Sequence, residues 1–99
     1  METKIEWTNR AERNLLAIYD YVSLDSSFYA QRFLKRLVNS VNKQLSHKPE
    51  SGRFVPEFES TPLGMIREVV FKGYRIIYDY NTSSSTVFVL AVTHARQQL

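Results

Sequence analysis

Between residues 64 and 96 the chain reads GMIREVVFKGYRIIYDYNTSSSTVFVLAVTHAR, and no other stretch restricts the fold as much. It divides into three strand-like runs, 65–72, 74–80 and 86–94, rich in Val, Ile, Phe and Tyr. A turn at Lys72-Gly73 and a polar loop over 81–85 separate them. Connections this short favour antiparallel neighbours, because a parallel crossover needs a dozen or more residues. Side chains alternate between the two faces of a strand. Arg75, Ile77 and Asp79 are therefore expected on one face, and Tyr74, Ile76, Tyr78 and Tyr80 on the other. In the last run Phe88, Leu90, Val92 and His94 oppose Val87, Val89, Ala91 and Thr93. Both sets are largely apolar, which predicts an internal strand covered on both sides.

The N-terminal half supplies the cover. Residues 4–7 read as a short first strand. Thr8 or Asn9 is an expected N-cap for a helix over 10–22. Ala11, Leu15, Ile18 and Val22 are spaced by four, three and four, forming an apolar stripe widened by Leu16 and Tyr19. Ser26 or Ser27 is expected to cap a second helix over 28–45, with Ala30, Phe33, Leu34, Leu37, Val38, Val41 and Leu45 repeating at threes and fours on its inner face. Pro49 disfavours helix at the residue before it. Residues 54–62 read as irregular. The sequence thus predicts an α+β fold: an N-terminal strand and an antiparallel helical hairpin packed on a mostly antiparallel four-stranded sheet.

Ninety-nine residues make a single domain, 1–99. A 43% hydrophobic content is enough for a core without covalent staples. The chain has no cysteine, which excludes disulfides, zinc–thiolate sites and thiol catalysis. No apolar run is long enough to span a membrane, and the first residues are too polar for a signal peptide. A cytoplasmic protein is expected. The net charge of +3 permits an acidic or nucleic-acid partner without requiring one.

Three local patterns then resemble one family. They are Ile5-Glu6-Trp7-Thr8 before an Ala11-Glu12 helix start, the turn Pro49-Glu50-Ser51-Gly52-Arg53, and the C-terminal set. That set is Ile66-Arg67-Glu68, Gly73-Tyr74-Arg75-Ile76-Ile77-Tyr78 and Val89-Leu90-Ala91-Val92-Thr93-His94-Ala95-Arg96. Together with the order of elements, they resemble the RelE/ParE superfamily of type II toxin–antitoxin toxins over nearly the whole chain. RelE-like members cut mRNA on the ribosome, whereas ParE-like members poison DNA gyrase.

The His94-Ala95-Arg96 ending is more similar to the ParE branch. The resemblance therefore implies a plasmid-stabilisation toxin that inhibits DNA gyrase by binding, with no cofactor or metal. It also implies a cognate antitoxin and a hetero-oligomer with it. The alternative is a ribosome-dependent mRNA endoribonuclease, and a third reading is a toxin-fold protein that only binds antitoxin.

For RNA cleavage the expected residues are Arg67, Arg75 and His94. A base, an acid and cations at the phosphorane are the chemical requirement. Arg75 matches an arginine that RelE-like nucleases place at the phosphate, and Arg67 falls near one of their lysines. Val69 stands at the next basic position, and their C-terminal tyrosine has no counterpart here. For a binding surface the expected residues are Arg53, Arg67, Lys72, Tyr74, Arg75 and Arg96.

Each residue also has an ordinary structural reading. Arg67 and Arg75 can pair with Glu57, Glu68 or Asp79 at a sheet surface, where such pairs contribute about 0–1 kcal/mol. His94 can be a solvated strand-end histidine, and His47 a helix C-terminal cation. Tyr74, Tyr78 and Tyr80 can stack on bases or simply pack. Arg32, Lys35, Arg36 and Lys43 read as a solvated helix face, or as a surface for an acidic antitoxin.

Overall fold

The computed structural model describes residues 3–96. The elements are β1 (Lys4–Trp7), α1 (Asn9–Ser23), α2 (Ser27–His47), β2 (Arg53–Phe54), a 3₁₀ turn (Pro56–Phe58), β3 (Arg67–Phe71), β4 (Tyr74–Asn81) and β5 (Thr86–His94). The sheet order is β1-β5-β4-β3-β2. β1 runs parallel to β5, and every other pair is antiparallel. The two helices cover one face of this sheet, so the α+β architecture is as expected.

The sheet has five strands rather than four. The additional one, β2, pairs only Arg53 with Glu68 and Phe54 with Arg67. Two residues are too few to show a period-two pattern in sequence. The edge strand forms where the expected turn, ending at Arg53, meets the segment expected to be irregular from residue 54, and that segment also contains the 3₁₀ turn. β1 enters the sheet from its other edge, beside the last strand. The indole N–H of Trp7 donates to Asn42 Oδ1 at 2.9 Å, fastening β1 to α2.

Caps fix where the helices begin. Thr8 Oγ1 accepts from the Ala11 N–H at 3.2 Å, and Ser26 Oγ accepts from the Tyr29 N–H at 3.1 Å. The centres of the expected stripes are buried, Ala11 and Ile18 from α1 and Ala30, Phe33, Leu37, Val41 and Leu45 from α2, with Leu15, Val22, Leu34 and Val38 half-buried at their margins. Leu16, expected to widen the first stripe, is exposed because it lies on the side of α1 turned from the sheet. Full burial of a side chain such as Leu37 or Leu45 is worth about 1.5–3 kcal/mol. These residues pack on Val69, Ile76, Tyr78, Val87, Val89 and Val92.

One departure from strict alternation shapes β5. Tyr78 lies opposite Val89 and Ile77 opposite Ala91, so Leu90 is an extra residue on its strand. This β-bulge shifts the phase of everything after it. Val92, expected to share a face with Phe88 and Leu90, instead joins Val87 and Val89 under the helices. Leu90 and Ala91 fall on the opposite face, with Val55, Phe58, Ile66 and Ile77. Thr8 Oγ1 donates to the Val89 carbonyl at 2.8 Å, tying the bulge to the start of α1.

Candidate functional site

The candidate residues separate into two groups, although Arg75 of the second follows Tyr74 of the first directly in β4 and faces the other side of the sheet. The first lies where β3 turns into β4 and β5 ends. Lys72 and Gly73 both have positive φ, 44° and 87°, forming a tight two-residue hairpin turn. The Ala95 N–H donates to the Gly73 carbonyl at 2.7 Å, which brings the end of β5 against that turn. Tyr74 lies opposite His94 in register, with ring centroids 5.5 Å apart in an edge-on arrangement. The Arg96 N–H donates to His94 Nδ1 at 3.2 Å. Lys72, Tyr74, His94 and Arg96 are thus brought together, and all but Tyr74 are exposed. A cavity of about 530 Å³ opens beside them, lined by Asn14, Ile18, Tyr21, Tyr74 and His94 among others.

The second group contains Arg53, Arg67 and Arg75, each engaged by an acid. Glu68 lies at its centre with a side chain that is 0% exposed. Its Oε1 accepts from Arg75 Nε at 2.6 Å, and its Oε2 accepts from Arg53 Nε at 2.6 Å. The other two guanidinium nitrogens of Arg75 donate to Glu57, each at 2.7 Å. Arg75 is therefore held by two carboxylates on the face away from the helices. Hydrogen bonding to Glu57, opposed by burial and reinforced by Glu68, pushes its pKa further above the usual guanidinium range. The sequence reading allowed pairing with Glu57 and Glu68 at an exposed surface. The pairing is instead buried, because the Pro56–Phe58 turn folds Glu57 back over the sheet.

Arg67 occupies the other face. It lies opposite Tyr78 in register, donates to the Gly52 carbonyl at 2.8 Å, and stacks over the Phe54 ring at 4.1 Å. Its remaining charge partner, Glu50, is 3.7 Å away. Tyr78 is fully buried: its hydroxyl donates to the Pro49 carbonyl at 2.8 Å and accepts from the Gly52 N–H at 2.9 Å. Burial raises its pKa, against the Gly52 hydrogen bond. Tyr74 and Tyr80 also pack on the helix-side core, so the three tyrosines form no open stacking platform.

The three cations considered for RNA cleavage therefore do not converge. Arg67 and Arg75 lie on opposite faces of the sheet. His94 is level with Tyr74 and Arg67 with Tyr78, which separates them by about 13 Å along the strands. Among the described residues, no group of three or more His, Asp or Glu side chains is placed to hold a metal ion.

Sequence reasoning did not single out the exposed apolar residues around the helical hairpin. Tyr21, Leu24 and Phe28 are 73%, 82% and 69% exposed at its tip. The signal was present, since all three fall outside the apolar stripes. A groove of about 410 Å³ between the helices is lined by Tyr19, Leu34, Lys35 and Val38 among others.

A two-helix hairpin over a five-stranded sheet of order β1-β5-β4-β3-β2 defines a toxin of the RelE/ParE fold. Solved structures share it at low sequence identity. The toxin–antitoxin complex RelBE2 from Mycobacterium tuberculosis contains a chain with TM-score 0.72 and 21% identity, over 95% of this chain and 99% of that one. The chromosomal ParDE system from P. aeruginosa gives TM-score 0.76 and 18% identity, over 96% and 98%. The isolated E. coli RelE toxin gives 0.57 and 19%, over 97% and 87%. The family model "ParE toxin of type II toxin-antitoxin system, parDE" matches residues 5–99, and the chain belongs to that family. No curated protein sequence matches it. Among the described residues no helix is long and apolar enough to cross a membrane.

Proposed function

We propose that this type II toxin inhibits DNA gyrase by binding to it, and does not cleave RNA. One observation carries the reading. Arg75, the residue aligned with a nuclease phosphate contact, already holds Glu57 and Glu68 and is 5% exposed. To reach a phosphate it would have to leave two carboxylates, one of them fully buried, and breaking such a pair is strongly unfavourable. Arg67 lies across the sheet from it, so the two cannot share one phosphorane. Membership of the ParE toxin family supports the same reading. The Lys72, Tyr74, His94 and Arg96 end is the proposed contact surface for the target. This reading puts the protein's action in the cytoplasm.

The test is a supercoiling assay with purified toxin, gyrase, plasmid and ATP, scored for linear DNA after protease treatment. Accumulating linear DNA is the expected result. Normal supercoiling at high toxin concentration would transfer the assignment to ribosome-dependent mRNA cleavage. One observation keeps that second reading specific: His94 is exposed beside an open cavity, with Tyr74 and Arg96 next to it.

The antitoxin partner is assigned to the helical hairpin and the neighbouring sheet edge. Tyr19, Leu34 and Val38 offer an apolar floor, and Lys35 a cation at its rim, for an acidic amphipathic segment. Co-purification with the product of an adjacent small gene is expected. Absence of a complex would sink this assignment.

A further inference from the structure

The outward face of α2 is chemically unlike the groove beside it. Among its 21 residues α2 contains Arg32, Lys35, Arg36 and Lys43 and no Asp or Glu. Steps of four and seven residues carry one row of cations along the face opposite the core, Arg32, Arg36 and Lys43, and Lys48 follows just past the helix. All four are exposed, and none forms an ion pair among the described residues. From Arg32 to Lys43 the row extends about 17 Å at 1.5 Å per residue. Between the charges lie Asn39 and Ser40, also exposed. A shallow cavity of about 360 Å³ at its lower end is lined by Ser40, Lys43, Gln44, His47 and Lys48.

We infer that this row is a binding surface for the phosphate backbone of double-stranded DNA. The composition separates that partner from an acidic protein segment. A partner helix needs an apolar stripe to bury, and the row has none between Arg36 and Lys43. Backbone phosphates need donors alone, and Arg, Lys, Asn and Ser side chains are the groups that commonly supply them. No base-reading element accompanies the row, so the binding is independent of sequence. The surface is additional to the gyrase contact proposed above and does not depend on it.

The experiment is fluorescence anisotropy of a labelled 20-bp DNA duplex titrated with the full chain. Binding with a dissociation constant of about 1–100 μM is expected. With three to four phosphates neutralised, log K should fall against log salt with a slope near −3, so affinity drops roughly 60-fold between 50 and 200 mM salt. The triple variant R32Q/R36Q/K43Q should bind at least tenfold more weakly with a slope shallower than about −1, at unchanged helical circular dichroism. Arg13→Gln, on α1, should bind like the parent. If the triple variant unfolds, the single variant R36Q and the parent's salt slope decide. No binding at 50 mM salt, equal binding by the triple variant, or stronger binding to a 20-bp RNA duplex or a Glu-rich peptide would each overturn the inference. Gyrase inhibition without DNA binding would refute this surface alone. DNA binding without gyrase inhibition would retain it and refute the gyrase reading.

Discussion

Glu68 accepts a hydrogen bond from Arg75 Nε at 2.6 Å on the face of the sheet away from the helices, and their side chains are only 0% and 7% exposed. Through Glu57, the same arginine fastens the segment after β2 over Ile66, Ile77 and Ala91. Removing one partner leaves a buried charge without its counter-ion, which costs about 3–5 kcal/mol. Glu68→Ala and Arg75→Ala are each expected to destabilise by about that amount in urea unfolding. Glu68→Leu with Arg75→Met should cost well under the sum of the two single changes. Additive effects would show that the pair is not coupled.

The pairing changes what a loss of toxicity at this position means. Arg75→Ala is expected to reduce growth inhibition more than His94→Ala, because it loosens a buried network whereas His94 is exposed. Soluble folded protein, measured beside colony counts, should fall for Arg75→Ala and stay constant for His94→Ala. Equal loss of toxicity at equal folded protein would point to a chemical site containing both.

Gly52 is enclosed on the side where a side chain would emerge. A Cβ there would sit 2.5 Å from the Glu68 carbonyl oxygen and 2.6 Å from the Tyr78 hydroxyl. The carbonyl is backbone, so it cannot yield without disturbing β3. Overpacking of this kind costs about 1–3 kcal/mol or more. Gly52→Ala should lower Tm by more than about 5 °C in a thermal melt, on the usual 4–8 °C per kcal/mol for a domain this size. An unchanged Tm would show that the β2 turn shifts freely.

Tyr78 gives the fold an alkaline limit. Burial raises its pKa in the folded state above the unfolded value, so the folded form holds the phenolic proton more tightly. Its contribution is fully present below the unfolded value of about 10 and is lost as pH rises through the higher folded value. Urea midpoints should therefore fall above about pH 10 in the parent, with a shallower fall in Tyr78→Phe. At pH 7 the same variant should be less stable by about 1–3 kcal/mol, because it leaves the Gly52 N–H and Pro49 carbonyl without this partner. A parent stability independent of pH between 9 and 11 would contradict this.

Thr8 joins a helix start to the β5 bulge. Its oxygen accepts from the Ala11 N–H while its proton goes to the Val89 carbonyl. Thr8→Val keeps the shape and removes both bonds. The expected loss is about 0.5–2 kcal/mol for the cap alone, read from denaturant midpoints. No change would mean that the cap is redundant with the packing of Ala11.

The sequence alone determined the order of elements and most of their limits. Apolar spacing of threes and fours marks α1 and α2, and β-branched runs broken at Lys72-Gly73 and 81–85 mark β3, β4 and β5. These are local signals, carried by residues a few positions apart, so they survive without knowledge of the fold. The same locality hid β2, which is too short to have a period. It also hid the bulge at Leu90, because one extra residue is visible only against the strand it pairs with. The site depended on distant contacts throughout. Arg75 looks like an available cation in sequence. Only the tertiary structure brings Glu57, eighteen residues earlier, and the fully buried Glu68 onto its guanidinium. A charge is read from one residue, but whether it is available depends on which opposite charges the fold buries beside it.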